Sequence, residues 1–180
     1  MLRKIAICMG LLGGLWLLAA GAAAEPEQTS HPALTLHFEQ PERFTDLRAA
    51  SESQVRFQAR TLAGFERIFA ELADELPDGW TWQVTITDID LAGDVRHDVG
   101  AERFRTITAS HPPRINLNHR LLDDQGEVVM DAEERLLDLS FMHRLPGSTL
   151  RHQALHYEHQ MLKRWFEQSI RPKFELRDNQ

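Results

Sequence analysis

Residues 80–94, WTWQVTITDIDLAGD, form the stretch that decides the fold. In its first half, apolar residues alternate with polar ones at Trp80, Trp82, Val84 and Ile86. This period of two predicts a β-strand that buries one face. The second half carries acids at Asp88, Asp90 and Asp94. We interpret the whole stretch as one long strand that begins apolar and ends acidic.

A helix is predicted before this strand and connects it to an earlier one. Ser51 and Gln54 have the spacing of a capping box, which predicts that the helix begins at Ser51. Apolar residues then recur at steps of three and four, at Val55, Leu62, Phe65, Ile68, Phe69, Leu72 and Leu76. Residues 34–38 alternate as a further strand. Strand, helix and strand with short connections predict a crossover that makes the two strands parallel.

The second half of the chain predicts antiparallel strands and a closing helix. We interpret residues 95–103 as a loop and 105–109 as a short strand. The next strand ends at Leu122, residues 123–126 form a hairpin turn, and the return strand runs over residues 127–139. The last helix is expected to open at Ser148 or Thr149 and to end at Pro172. The β-α-β-β-β-β-α order predicts an α+β domain over residues 34–172, with a tail at 173–180. Its sheet is mixed and mostly antiparallel, with two helices on one face.

The first 24 residues have the layout of a secretory signal peptide. Arg3 and Lys4 precede an apolar run over residues 5–20, and small residues at 22–24 precede Glu25. We expect cleavage after residue 24, a disordered leader at 25–33, and export, most simply to the periplasm. An uncleaved anchor is the alternative, but the apolar run is shorter than a spanning helix requires.

Composition excludes some classes of partner. Without Arg3 and Lys4, the formal charge of −7 becomes −9, so binding to nucleic acid through phosphates is disfavoured. Cys8 is the single cysteine, and the exported chain would carry no disulfide. Residues after the signal peptide include no apolar run long enough to span a membrane.

The predicted topology gathers charged residues at one end of the sheet. Parallel strands share a carboxyl edge, where ligands bind in open sheets. The residues expected there are Asp46, Arg48, Asp88, Asp90, Asp94, Arg96, Arg114 and Asp138. By simple alternation, Asp88 and Asp90 continue the buried face of the strand. We weigh a salt-bridged corner, a divalent cation site and a carboxylate pair for hydrolysis.

Histidines on the last predicted helix are the weaker candidate for a metal site. His152, His156 and His159 fall on one side of that helix, and His143 precedes it. Such spacing suits zinc or copper, although no cysteine accompanies it. The same histidines border the apolar stripe of the helix, where half-buried polar residues are ordinary.

Several strings resemble the exported bacterial family called domain of unknown function 3016. They are PERFTD at 41–46, ITDIDLAGD at 86–94, PPRI at 112–115, residues 121–123 with Gly126, EERLLD at 133–138, and Tyr157-Glu158 through Trp165-Phe166. The resemblance covers most of residues 34–170 and implies export and a shared fold without a reaction. The three histidines are not part of its pattern.

The sequence therefore predicts an exported, non-enzymatic binding or interaction domain without a cofactor. Its partner would be another envelope protein or a small ligand. The alternative is a hydrolase, dependent on a divalent cation or on carboxylates alone, that uses Asp88, Asp90 and Asp94.

Overall fold

The computed structural model describes residues 31–97, 103–143 and 154–176. The predicted signal peptide, residues 1–24, and residues 25–30 of the predicted leader lie outside these ranges. The strands are β1 (Leu34–Phe38), β2 (Thr81–Asp90), β3 (Asp94–His97), β4 (Arg103–Thr106), β5 (Arg114–Leu122) and β6 (Val128–Leu137). The helices are α1 (Gln54–Ala73), α2 (His156–Trp165) and α3 (Arg171–Glu175), with a 3₁₀ turn at Pro41–Arg43 and a π-helical turn at Phe166–Ile170.

Four strands form a mixed sheet in the order β1-β2-β5-β6. β1 and β2 are parallel, and the other two pairs are antiparallel, so the predicted α+β class is confirmed. β3 and β4 form a separate antiparallel ribbon. The prediction of a loop over residues 95–103 is therefore wrong at 95–97 and at Arg103, and residues 98–102 lie outside the described ranges. The strand predicted at 105–109 begins at Arg103 and ends at Thr106. Both strands are short and charged, so alternation gave no clear signal.

A β-bulge in β2 changes which side chains face the core. Ile86 pairs with Leu117, whereas Asp88 pairs with the next residue, Asn116. One extra residue, Thr87, thus lies on β2, and Ile89 becomes the next fully buried side chain. The prediction that Asp88 and Asp90 continue the buried face is wrong, because the extra residue reverses the alternation beyond it. β2 also ends at Asp90, and Asp94 begins a different strand.

Helix α1 begins at Gln54 and not at Ser51 as predicted. The Gln54 side chain reaches back into the preceding loop, where its Nε2 donates to Leu47 O at 2.6 Å and its Oε1 accepts from Ala49 N at 2.9 Å. A glutamine at the helix start therefore fixes the loop that carries Asp46. Val55, predicted on the buried stripe, is the second residue of α1 and is 78% exposed.

Both long helices cover the same face of the sheet. The Trp82 ring lies 5.5 Å from that of Phe69 on α1, 5.9 Å from Trp165 on α2 and 5.6 Å from Phe166. These residues are buried in one apolar core with the inward faces of the sheet strands. The aromatic contacts fix where α2 lies relative to α1, and hence the shape of the gap between them.

The helical segment continues past Pro172, so the prediction that it ends there is wrong. Pro172 lies in the first turn of α3, directly after the π-helical turn Phe166–Ile170. Phe174 is buried and its ring lies 6.0 Å from that of Trp80. The predicted opening of the last helix at Ser148 or Thr149 lies outside the described residues. None of the described helices is long and apolar enough to cross a membrane.

Candidate functional site

Seven of the eight charged residues predicted to share one end of the sheet form ion pairs. Asp46 forms a β-bridge with Asp90, which pairs across the strands with Arg114. At the next strand, Asp138 N donates to Pro113 O at 3.3 Å. The ion pairs form a row across the sheet end. Asp46, Arg48, Asp94 and Arg96 are linked in one chain, whereas Asp90–Arg114 and Asp138–Arg164 are separate pairs.

Asp46 is the most enclosed of these groups, with 3% of its surface exposed. Its Oδ2 accepts from Arg105 Nη1 at 2.8 Å, and its Oδ1 from Arg105 Nη2 at 3.2 Å and Arg48 N at 3.1 Å. Burial alone would raise the pKa of Asp46, but the contacts with Arg105 and Arg48 outweigh it and lower that pKa. Arg105 also donates to Gly93 O and Arg48 O, so it fastens β4 to the loop before α1.

The other predicted acids have partners of their own. Asp88 accepts hydrogen bonds from Thr45 N at 2.7 Å and Thr45 Oγ1 at 2.8 Å. The ion pairs are Asp90–Arg114, Asp94–Arg48, Asp94–Arg96 and Asp138–Arg164. Within the described residues, no group of three or more metal-binding side chains could hold a metal ion.

A pocket of about 530 Å³ lies between α1, the turn after β2, and the start of α2. Its apolar lining consists of Phe57, Ile68, Leu91, Ala92, Ile107, Ala154, Leu155 and Tyr157. Gly64 on α1 allows the close approach of α2, because a Cβ there would lie 2.6 Å from Leu155 Cδ1. Arg105 lines the pocket as well, so the pocket adjoins the row of ion pairs.

Two titratable groups are buried against this pocket. Glu158, 3% exposed, accepts a hydrogen bond from Ala92 N at 2.8 Å. Burial raises the pKa of its carboxyl, and the bond from Ala92 and the charge of Arg105 only partly oppose this. Burial, and then the charge of His159, lower the pKa of His156. Shifted titratable groups inside a cleft are characteristic of binding and catalytic sites.

The histidines predicted as metal candidates have different surroundings. His156 is buried and its ring lies 5.4 Å from that of Tyr157. His159 Nε2 lies 3.3 Å from Glu71 Oε2 on α1. His152 lies outside the described residues, so a site made of all three stays a prediction.

Sequence reasoning missed Arg105 and Glu158. Arg105 lies in a short charged strand with no clear pattern, and only its partners in the fold reveal its role. Glu158 is the third residue after Leu155, the cap of α2, and such a position favours an acid. Its burial depends on α2 packing against Ala92, 66 residues away, which no local pattern shows.

These features define a small α+β domain with a pocket between its helices and the end of a mixed sheet. The chain belongs to the family described as protein of unknown function (DUF3016), whose model matches residues 32–168. This confirms the family resemblance found in the sequence. No curated protein and no solved structure matches the chain.

Proposed function

We propose that this chain is an exported, non-enzymatic binding domain that holds a small, largely apolar molecule in the pocket between α1 and α2. The observation that carries the proposal is the pocket itself, with its volume of about 530 Å³ and the eight apolar residues in its lining. Small-molecule sites typically combine such a concave apolar surface with a few converging polar groups. The buried side chains of Glu158 and His156 supply polar groups here.

The position of the pocket also supports binding there. Leu91 and Ala92 follow directly after β2, and both line the pocket. They lie at the carboxyl end of the parallel β1–β2 pair, where ligands tend to bind. A concave pocket of this size suits a small molecule better than a second protein.

No observation on the described residues favours the hydrolase alternative. Asp88 accepts a hydrogen bond from Thr45, and Asp90 forms an ion pair with Arg114. Asp94 forms ion pairs with Arg48 and Arg96. Such pairing leaves no carboxylate aimed at a shared reacting atom, which general acid–base catalysis requires.

The uncharged fluorescent probe N-phenyl-1-naphthylamine tests the proposal. We expect saturable fluorescence enhancement with the folded wild-type domain, because the probe leaves water for an apolar pocket. Ala154 is exposed and lines the pocket, so Ala154→Trp fills it without disturbing the core. This variant should lower probe affinity at least about tenfold, equal to about 1.4 kcal/mol.

The matched control is Ala63→Trp, which adds the same side chain at an exposed α1 position outside the pocket. It should bind the probe as the wild type does, with a similar melting temperature. Equal affinities of the two tryptophan variants, or no saturable binding to the wild type, would overturn the proposal.

A further inference from the structure

The charge of the pocket opposes the charge of the whole molecule. The chain has a formal net charge of −7. The pocket, however, is lined by three arginines, Arg60, Arg67 and Arg105, and by two acidic residues, Glu71 and Glu158. A local field of this kind attracts ligands of the opposite sign.

Most of these charged groups are already engaged within the protein. Arg105 is bound to Asp46, and Arg60 pairs with Glu52 outside the pocket. Glu71 lies beside His159. Glu158 is buried and accepts from the backbone of Ala92. Because each of these groups already has a partner in the protein, it is a poorer candidate than an unpaired cation for holding an anionic head group.

Arg67 differs from the other two arginines. Its Nε donates to Ala63 O at 3.2 Å, one turn earlier on α1, and this bond orients the guanidinium. Within the described residues, no carboxylate pairs with Arg67. The two terminal nitrogens therefore remain available, in the geometry that binds both oxygens of a carboxylate or phosphate.

The guanidinium is next to the apolar part of the pocket. Its Nη2 lies 3.9 Å from where a Cβ on Gly64 would be, and Leu155 packs against that same glycine. Ile68 and Leu155 thus place apolar surface close to the unpaired cation. A ligand that satisfied both would have an apolar body and an anionic end.

We infer that the pocket binds a small apolar molecule with one anionic head, a carboxylate or a phosphate, which Arg67 holds while the apolar tail lies between α1 and α2. The inference rests on the proposed function and names its class of ligand. It assigns to Arg67 the recognition of the anionic head, a role that binding of a purely apolar molecule would not need.

The test uses four probes with the same eight-carbon tail: octanoate, octyl phosphate, octanol and octylammonium. Titration calorimetry at low salt should show that octanoate and octyl phosphate bind at least about tenfold more tightly than octanol, as a charge-assisted contact predicts. Octylammonium should bind most weakly. The two anionic probes separate carboxylate from phosphate as the preferred head.

Arg67→Gln should reduce the affinity for the preferred anionic probe to about that of octanol and leave octanol binding unchanged. The matched control, Arg56→Gln, removes the same charge from an exposed α1 position outside the pocket. It should change every affinity less than about twofold, since exposed charges act weakly at a distance.

Two results would overturn the inference but leave the proposed function standing. They are equal binding of octanol and octanoate, and equal effects of the two glutamine variants. If instead all four probes bind Ala154→Trp as they bind the wild type, the probes do not use the pocket, and both proposals fail.

Discussion

His119 is a titratable residue in the middle of the apolar core, with 2% of its surface exposed. Its Nδ1 accepts a hydrogen bond from Trp82 Nε1 at 3.4 Å, and its ring lies 5.3 Å from that of Trp165. Nε2 has no hydrogen-bond partner, although Glu134 Oε1 lies 3.9 Å away. Burial lowers the pKa of His119 to about 4, against the opposing charge of Asp131. The fold therefore holds this histidine neutral.

A neutral buried histidine makes the stability of the fold depend on pH. In the unfolded chain, His119 binds a proton near pH 6.5, whereas in the folded chain it does so only near pH 4. Stability must fall as the pH drops through that window, because the unfolded state gains more protons. The loss at the acid end should approach about 3 kcal/mol. Urea unfolding at pH 7.5, 6.0 and 4.5 measures it.

His119→Leu should remove this part of the pH dependence, so that its stability relative to the wild type improves as the pH falls. Leu117→Val, on the same strand, is the control, since it should lower stability by a similar amount at every pH. If the difference between His119→Leu and wild type is constant from pH 7.5 to 4.5, the account of His119 is wrong.

At the scale of the elements, the turn from β2 into β3 depends on Gly93. Its φ is +81°, which an L side chain rarely adopts. A Cβ at this position would lie 2.4 Å from Thr106 O, a backbone atom that cannot rotate away. Gly126, in the β5–β6 hairpin, has nearly the same φ of +80° but open space around it. A comparison of substitutions at the two glycines therefore separates the cost of backbone strain from the cost of a steric clash.

Gly126→Ala should lower the free energy of unfolding by about 1–2 kcal/mol, the cost of a left-handed L residue. Gly93→Ala should cost about 1–3 kcal/mol more, because the added methyl also displaces the β4 backbone. It should weaken probe binding as well, since neighbouring Ala92 lines the pocket. Urea denaturation of both variants provides the comparison. Equal losses would mean that β4 moves aside freely.

The elements that could be predicted from sequence are those whose cause is local. The β5–β6 hairpin is one, because the Asp123 carboxylate accepts from Gln125 N and Glu127 N and Gly126 supplies the positive φ. The bulge at Thr87 carries no glycine or proline to mark it. Its only trace is that apolar residues move to odd positions at Ile89 and Leu91. Simple alternation overlooked that change and placed Asp88 and Asp90 on the wrong face.

At the scale of the whole molecule, the candidate site could be predicted only in part. Asp90 lies at the carboxyl end of β2 and forms a bridge with Asp46, because a crossover between parallel strands brings their carboxyl ends to one edge. That this edge is a site stays a prediction. The pocket depends on contacts between Gly64 and Leu155 and between Ala92 and Glu158, which are far apart in the chain. Spacing in the sequence does not report such contacts, since they arise when the helices dock on one face.

Export concerns the whole molecule, because the compartment determines which small molecules can reach the pocket. We expect the full chain, expressed in a bacterial host, to appear in the periplasmic fraction with an intact mass that begins at Glu25. Ala24→Phe should leave residues 1–24 attached, because cleavage requires a small residue directly before the cut. Ala23→Phe is the control, since the middle position of the A-x-A pattern accepts a large side chain. A cytoplasmic product that retains residues 1–24 would contradict export, and the ligand would then have to be sought among cytoplasmic molecules.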